Sequence, residues 1–187
     1  KWITRGFNEG GMTAYMTHLL IEEHDEDDDE PGNDSSALVL WEIDSNGNNV
    51  MLLPKRYYVY KHFSTLSGKN YVRISNEFSG NPNNFLFSSF ISTENDEIVL
   101  HVFNQSSSSK SLKLNIPSNI QSIKYYVTDN NNNYTNSSLS TSQSNITLSS
   151  MSMNSFVLNF KEIIDSDSDG VSDSNDNCPD TPQGTRV

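Results

Sequence analysis

Between Pro54 and Ile74 the sequence PKRYYVYKHFSTLSGKNYVRI changes its period, and that change divides the chain into two architectures. Pro54 supplies the fixed backbone dihedral of a first helical turn and Gly68 the left-handed residue that ends one, so the punctuation predicts a helix over 54–67. Leu53, Tyr57, Tyr60 and Phe63 recur at helical spacing and form an aromatic stripe for core packing, with Lys55, Arg56, Lys61 and His62 mostly off it. Past Gly68 the period drops to two through Tyr71, Val72, Arg73 and Ile74, which starts a strand. Upstream, helix and strand alternate; downstream, the pattern is strand throughout.

Ahead of that joint, Ile3, Phe7, Met12, Tyr15, Met16, Leu19 and Leu20 lie on one helical face, which predicts a helix over 1–21. Gly10 and Gly11 fall inside it, and each costs up to about 1 kcal/mol against Ala, so a strand and loop before a helix from Met12 stays open. The run EEHDEDDDEPGN from Glu22 to Asn33 repels itself and reads as a solvated loop; His18 and His24 have no ligand partner at metal spacing. ALVLWEI, residues 37–43, is a continuous apolar run bounded by serines and by DSNGNN, as in the buried strands of parallel sheets. Helix, buried strand and helix in series is the grammar of an α/β barrel or a doubly wound sheet. In a barrel, strand C-termini face the substrate, and Trp41 and Glu42 stand at that end. Trp41 then has two readings, a sugar-stacking platform and a core indole with its N–H satisfied.

Beyond Gly68, strands are expected at about 70–75, 85–92, 97–104, 110–115, 121–128, 145–149 and 154–160, separated by SGNPNN, STEND, NQSSSS and DNNNNYTNSS. Short strands at regular spacing with such turns predict a β-sandwich. Phe85, Phe87 and Phe90, then Ile98, Leu100 and Val102, supply its inward faces. No His or carboxylate is placed to activate a Ser or Thr nucleophile here.

The net charge of −12 argues against nucleic acid, which needs a basic face. No apolar run reaches the roughly 18–20 residues that cross a bilayer. Abundant Asn and Ser in the second half suit an extracellular β-protein. The chain opens on Lys1 and stops at Val187 inside an unfinished motif, so we expect a piece of a longer protein.

That last motif is the sharpest local signal. Asp165, Asp167, Asp169, Asp173 and Asp176 stand at positions 1, 3, 5, 9 and 12 of a calcium loop, with Gly170 at the turn and the Val171 carbonyl at position 7. A hard cation needs six to eight oxygens on one tight loop, and this alternation aims carboxylates to one side. NCPDTPQG follows at once, so no helix flanks the loop. DSDSDGVSDSNDNCPDTPQG instead resembles a thrombospondin type 3 repeat. The resemblance implies that the lone Cys178 pairs with a Cys of a neighbouring repeat, in an oxidising compartment.

ALVLWEI and KRYYVYKHFSTLSGKNYVRI, within residues 2–160, resemble the C-terminal part of glycoside hydrolase family 30. In that family a (β/α)8 barrel packs on a β-sandwich built largely from the chain after the last barrel helix. The resemblance implies three segments: 1–68, the last units of a (β/α)8 barrel; 69–161, an all-β sandwich; and 162–187, a truncated thrombospondin type 3 calcium-binding repeat. It also implies retaining hydrolysis of β-linked glycans by two carboxylates. One would lie upstream of Lys1. Were KWIT the seventh strand, Arg5 would stand where the family has its nucleophilic Glu. Because ITRGFNEGGMTAYMTHLL continues one helical face, the preferred alignment makes it the following helix, with the nucleophile also upstream. Glu9 and Glu42 are then the nearby carboxylates to test, and neither is expected to be catalytic.

The expectation is therefore a piece of a secreted glycoside hydrolase, inactive alone, that binds oligosaccharide or polysaccharide at Trp41 and Ca2+ at its end. A non-catalytic extracellular carbohydrate-binding or adhesion module is the second class. The sequence of the gene upstream of Lys1 discriminates the two.

Overall fold

The computed structural model describes residues 20–24, 37–79, 82–94 and 96–160. The stretch expected to be helical, 1–21, lies outside them except for Leu20 and Ile21, and the calcium loop and Cys178 lie wholly outside. Among the described residues the chain is mostly β-sheet with one α-helix.

Strands β1 (Ile21–Glu23), β2 (Val39–Ile43) and β3 (Asn49–Leu52) form one small sheet. β1 runs parallel to β2, and β3 returns antiparallel to it. Two expectations are corrected here. Ile21 opens a strand instead of ending a helix, and Glu22 and Glu23 pair with Leu40 and Trp41 instead of joining the acidic loop. The return is made by Asp44–Asn48. Asp44 Oδ1 accepts the backbone N–H groups of Asn46 and Asn48, both at 2.9 Å, and Gly47 takes φ 81°. These bonds, Asn48's backbone N–H foremost, hold the Asp44 carboxyl below the usual range.

Helix α1 (Lys55–Leu66) occupies the predicted span, with Pro54 as an extended N-cap residue. Its buried face is His62, Phe63 and Leu66, while Leu53 is exposed. The expected stripe was therefore rotated, because His62, read as off the stripe, is 0% exposed. Gly68 is not the left-handed residue either; Asn70 is, at φ 74°. Gly68 is small for another reason, since a Cβ there would meet the Ser64 carbonyl oxygen at 3.0 Å.

Strands β4 (Tyr71–Ile74), β5 (Phe85–Ser92), β6 (Glu97–Asn104), β8 (Ile120–Thr128), β9 (Thr135–Leu139) and β11 (Ser152–Phe160) form an antiparallel sheet of order β4-β5-β6-β11-β8-β9. β7 (Lys110–Lys113) and β10 (Asn145–Leu148) make a second, two-stranded sheet. Alternate residues of β6 and β11 serve opposite faces. Val102, Phe156 and Leu158, with Ile123 of β8, pack against Leu112, Ile146 and Leu148 of the small sheet. Val99, Met153 and Val157 face α1, where Phe63 and Leu66 meet them. The result is three layers: helix, large sheet, small sheet. Phe90 lies on the helix face and not with Phe85 and Phe87, which correct the expected shared alternation.

Side-chain amides tie the layers. Asn104, fully buried, donates to the carbonyl of Ser149 at 2.7 Å and accepts the Ser106 N–H at 3.0 Å, pinning the turn beside β7. Asn154 accepts from the Tyr125 hydroxyl at 2.6 Å.

Candidate functional site

The parallel pair β1–β2 gathers the chemistry-bearing side chains that the sequence singled out in this half. β2 is the middle strand of its sheet, so its alternation decides what each residue faces. Leu38 and Leu40 are buried on one side, and Glu42 shares that side. Trp41 is on the other side, half-buried, level with Glu23 on β1 and Met51 on β3. Paired residues of adjacent strands project to the same face. The Trp41 face therefore also carries Ile21, Ile43 and Met51, which are 51%, 62% and 71% exposed.

Trp41 and Glu42 thus do not converge. What the structure brings together instead is Glu42 with His24: the imidazole Nδ1 lies 3.0 Å from Glu42 Oε2, and the His24 N–H donates to the Trp41 carbonyl at 2.7 Å. Both sit at the C-terminal ends of their strands. The carboxylate keeps a solvent-facing side, and the ring orients it. Such a pair can accept hydroxyl protons from a ligand or fix its own position by the internal bond.

His24 read in the sequence as an isolated histidine and Glu23 as loop. The missing signal was the pairing of 21–23 with 39–41, which nothing in the local pattern announces. Glu9 and the calcium ligands Asp165, Asp167, Asp169, Val171, Asp173 and Asp176 lie outside the described residues. No helix among the described residues is long and apolar enough to cross a membrane.

A second concave feature opens on the large sheet where the small sheet leaves it uncovered. It is a groove of about 500 Å³ floored by Phe87, Ile98 and Leu100 and walled by Phe78, Leu114 and Ile116. Phe78 leans on Phe87 with ring centres 4.9 Å apart.

No protein-family model matches this sequence, and no curated protein does. Solved structures do. The catalytic domain of a family 30 xylanase C from Talaromyces cellulolyticus superimposes with a TM-score of 0.63 at 19% identity, over 83% of this chain and 33% of that one. A family 30 subfamily 8 xylanase from Clostridium acetobutylicum gives 0.52 at 21% identity, over 68% and 32%. A β-porphyranase of glycoside hydrolase family 86 from the gut bacterium Bacteroides plebeius gives 0.50 at 14%, over 68% and 23%. The chain spans about a third of the length of the two xylanase structures. These likenesses show a fold shared with the corresponding part of family 30 enzymes.

Proposed function

We propose that this chain is the C-terminal part of a secreted retaining glycoside hydrolase acting on a β-linked glycan. Residues 1–68 contribute the last units of a (β/α)8 barrel, 69–161 form its β-sandwich, and 162–187 form a calcium-binding repeat. The observation that carries the reading is the parallel pairing of β1 with β2, in which Trp41 stands level with Glu23, the last residue of β1, and two residues before the C-terminal end of β2. Barrel enzymes hold substrate at that end. Further support comes from the shared fold with two xylanases and a porphyranase.

In this reading the exposed apolar face of β1–β3 is completed by the rest of the barrel. The Trp41 indole covers one face of a pyranose ring, and Glu23, paired with it on the same face, is placed to meet hydroxyls. The two catalytic carboxylates belong to barrel strands that precede Lys1. The chain by itself therefore turns over no glycoside.

The donor set of the last segment suits its ion. Five carboxylates and one backbone carbonyl are hard oxygen ligands, which favour calcium over softer metals and, in number, over magnesium. Cys178 pairs with a Cys of a neighbouring repeat.

The test is Trp41→Ala in the parent enzyme. A rise in KM with the melting temperature preserved is expected. A collapse of folding with normal KM among the surviving molecules, or no change at all, removes Trp41 from the substrate site.

A further inference from the structure

Two histidines are buried together between α1 and the large sheet, and they share one hydroxyl. His62 Nδ1 and His101 Nδ1 lie 2.6 and 2.7 Å from Ser155 Oγ. His62 Nε2 reaches Thr128 Oγ1 at 3.0 Å, and His101 Nε2 reaches Ser67 Oγ at 2.8 Å. The Thr128 oxygen also accepts the Tyr134 N–H at 3.0 Å, and the Ser67 hydroxyl lies 3.3 Å from the Phe63 carbonyl.

One direction of donation satisfies every atom. Thr128 O–H donates to His62 Nε2, and His62 Nδ1–H donates to Ser155. Ser155 O–H donates to His101 Nδ1, His101 Nε2–H donates to Ser67, and Ser67 O–H donates to the Phe63 carbonyl. The chain works only with two neutral rings, one protonated at Nδ1 and the other at Nε2.

We propose that this hydrogen-bond chain is an acid-sensitive latch: it docks α1 on the large sheet while both imidazoles are neutral, and it releases the helix when they take up protons. A proton added at His101 Nδ1 aims a second N–H at Ser155 and leaves the Ser155 hydroxyl proton without its acceptor. A proton added at His62 Nε2 does the same to Thr128.

Among the described residues, the surroundings offer an imidazolium no counter-charge. From α1 the nearest cation is Lys61, whose ammonium sits 4.7 Å over the Tyr134 ring, and that ring stands edge-on to His62. β6 brings Glu97, which is bonded to the Tyr71 hydroxyl. The residue after β8 is Asp129, whose carboxylate accepts the N–H groups of Asn131 and Asn132. β11 brings no charge beside Ser155, and β5 and α1 bring the Phe90 and Phe63 rings against His101. Burial accordingly depresses both imidazoles, His62 to about 3 and His101 well below the ordinary range, the latter with a contribution from His62.

The sign follows. Released rings titrate near their ordinary 6.5, so the docked state binds fewer protons and loses ground as pH falls from about 6.5 toward 3. Each ring shifts the docked-to-released ratio by about tenfold per pH unit in that window. Release is local, because the core against the small sheet lies on the opposite face and contains neither ring.

Amide hydrogen exchange on the full chain, corrected for intrinsic rates, at pH 7.5 and pH 5.0 tests this. Protection of 55–66 should fall at least tenfold more than that of β8 and β11. His62→Gln should halve the pH dependence on a logarithmic scale. If that variant does not fold, imidazole C2–H NMR on the unaltered chain replaces it, with both rings neutral at pH 6 in the docked state. Equal loss of protection in helix and sheet, unchanged protection at pH 5.0, or rings that titrate near 6.5 with the helix still protected would each overturn the latch.

Discussion

A single residue shows how much of this interior is decided by hydrogen-bond pairing. Ser88 is fully buried next to His101 in the β5–β6 register, yet its hydroxyl has no partner among the described residues. An unpaired buried hydroxyl costs about 1–3 kcal/mol, so Ser88→Ala should leave stability unchanged or raise it, by up to about 1 kcal/mol in urea unfolding. Ser155→Ala should do the reverse. It strands two imidazole nitrogens at once and should cost on the order of 2–4 kcal/mol, with loss by less than about 0.5 kcal/mol counting against the shared-hydroxyl geometry. His62 was misplaced by sequence reasoning for the same reason: a histidine among lysines and tyrosines reads as surface, and its partners Ser155 and Thr128 are 93 and 66 residues away. His24 escaped notice likewise, since Glu42 lies 18 residues downstream across an acidic stretch.

Elements were more legible than residues. The helix over 55–66 and strands such as 85–92 and 97–104 announce themselves by period and turn chemistry, because local pattern and tertiary role agree there. β9 was missed. TNSSL has no apolar alternation, and an edge strand with exposed side chains is fixed by its partner β8 and not by its own composition. β1 was missed because a three-residue strand in a parallel pair carries no periodicity of its own. The helix exit gives a testable case. Gly68 needs its missing Cβ for close approach to the Ser64 carbonyl at 3.0 Å and not for a left-handed dihedral. Gly68→Ala should therefore cost roughly 1 kcal/mol by thermal unfolding, through contact and not through φ. Asn70→Gly, at the residue that does hold φ 74°, should be neutral or mildly favourable.

At the scale of the whole molecule, the large sheet is the common wall for two separate cores. Phe156 fills the one against the small sheet, fully buried and stacked on Tyr125 at 5.1 Å. Phe156→Ala should cost about 3–5 kcal/mol, measured by urea unfolding, whereas changes at the exposed Met51 should cost little until the face it lies on is covered. That exposed face is where the proposed substrate residue lies. ALVLWEI announced a strand, but only one side of it is buried, Trp41 stands at its middle and not its end, and the face that Trp41 presents depends on β1 and β3; the calcium loop stands on spacing alone. The proposed function has β1–β3 and the layers behind them complete a retaining glycoside hydrolase. The most direct measurement is proton NMR of the anomeric signals released when the intact parent protein is given a soluble β-linked glycan. A retaining enzyme gives turnover in which the β-anomer appears first and then mutarotates. Release of the α-anomer first, or glycan binding without any turnover, would contradict it.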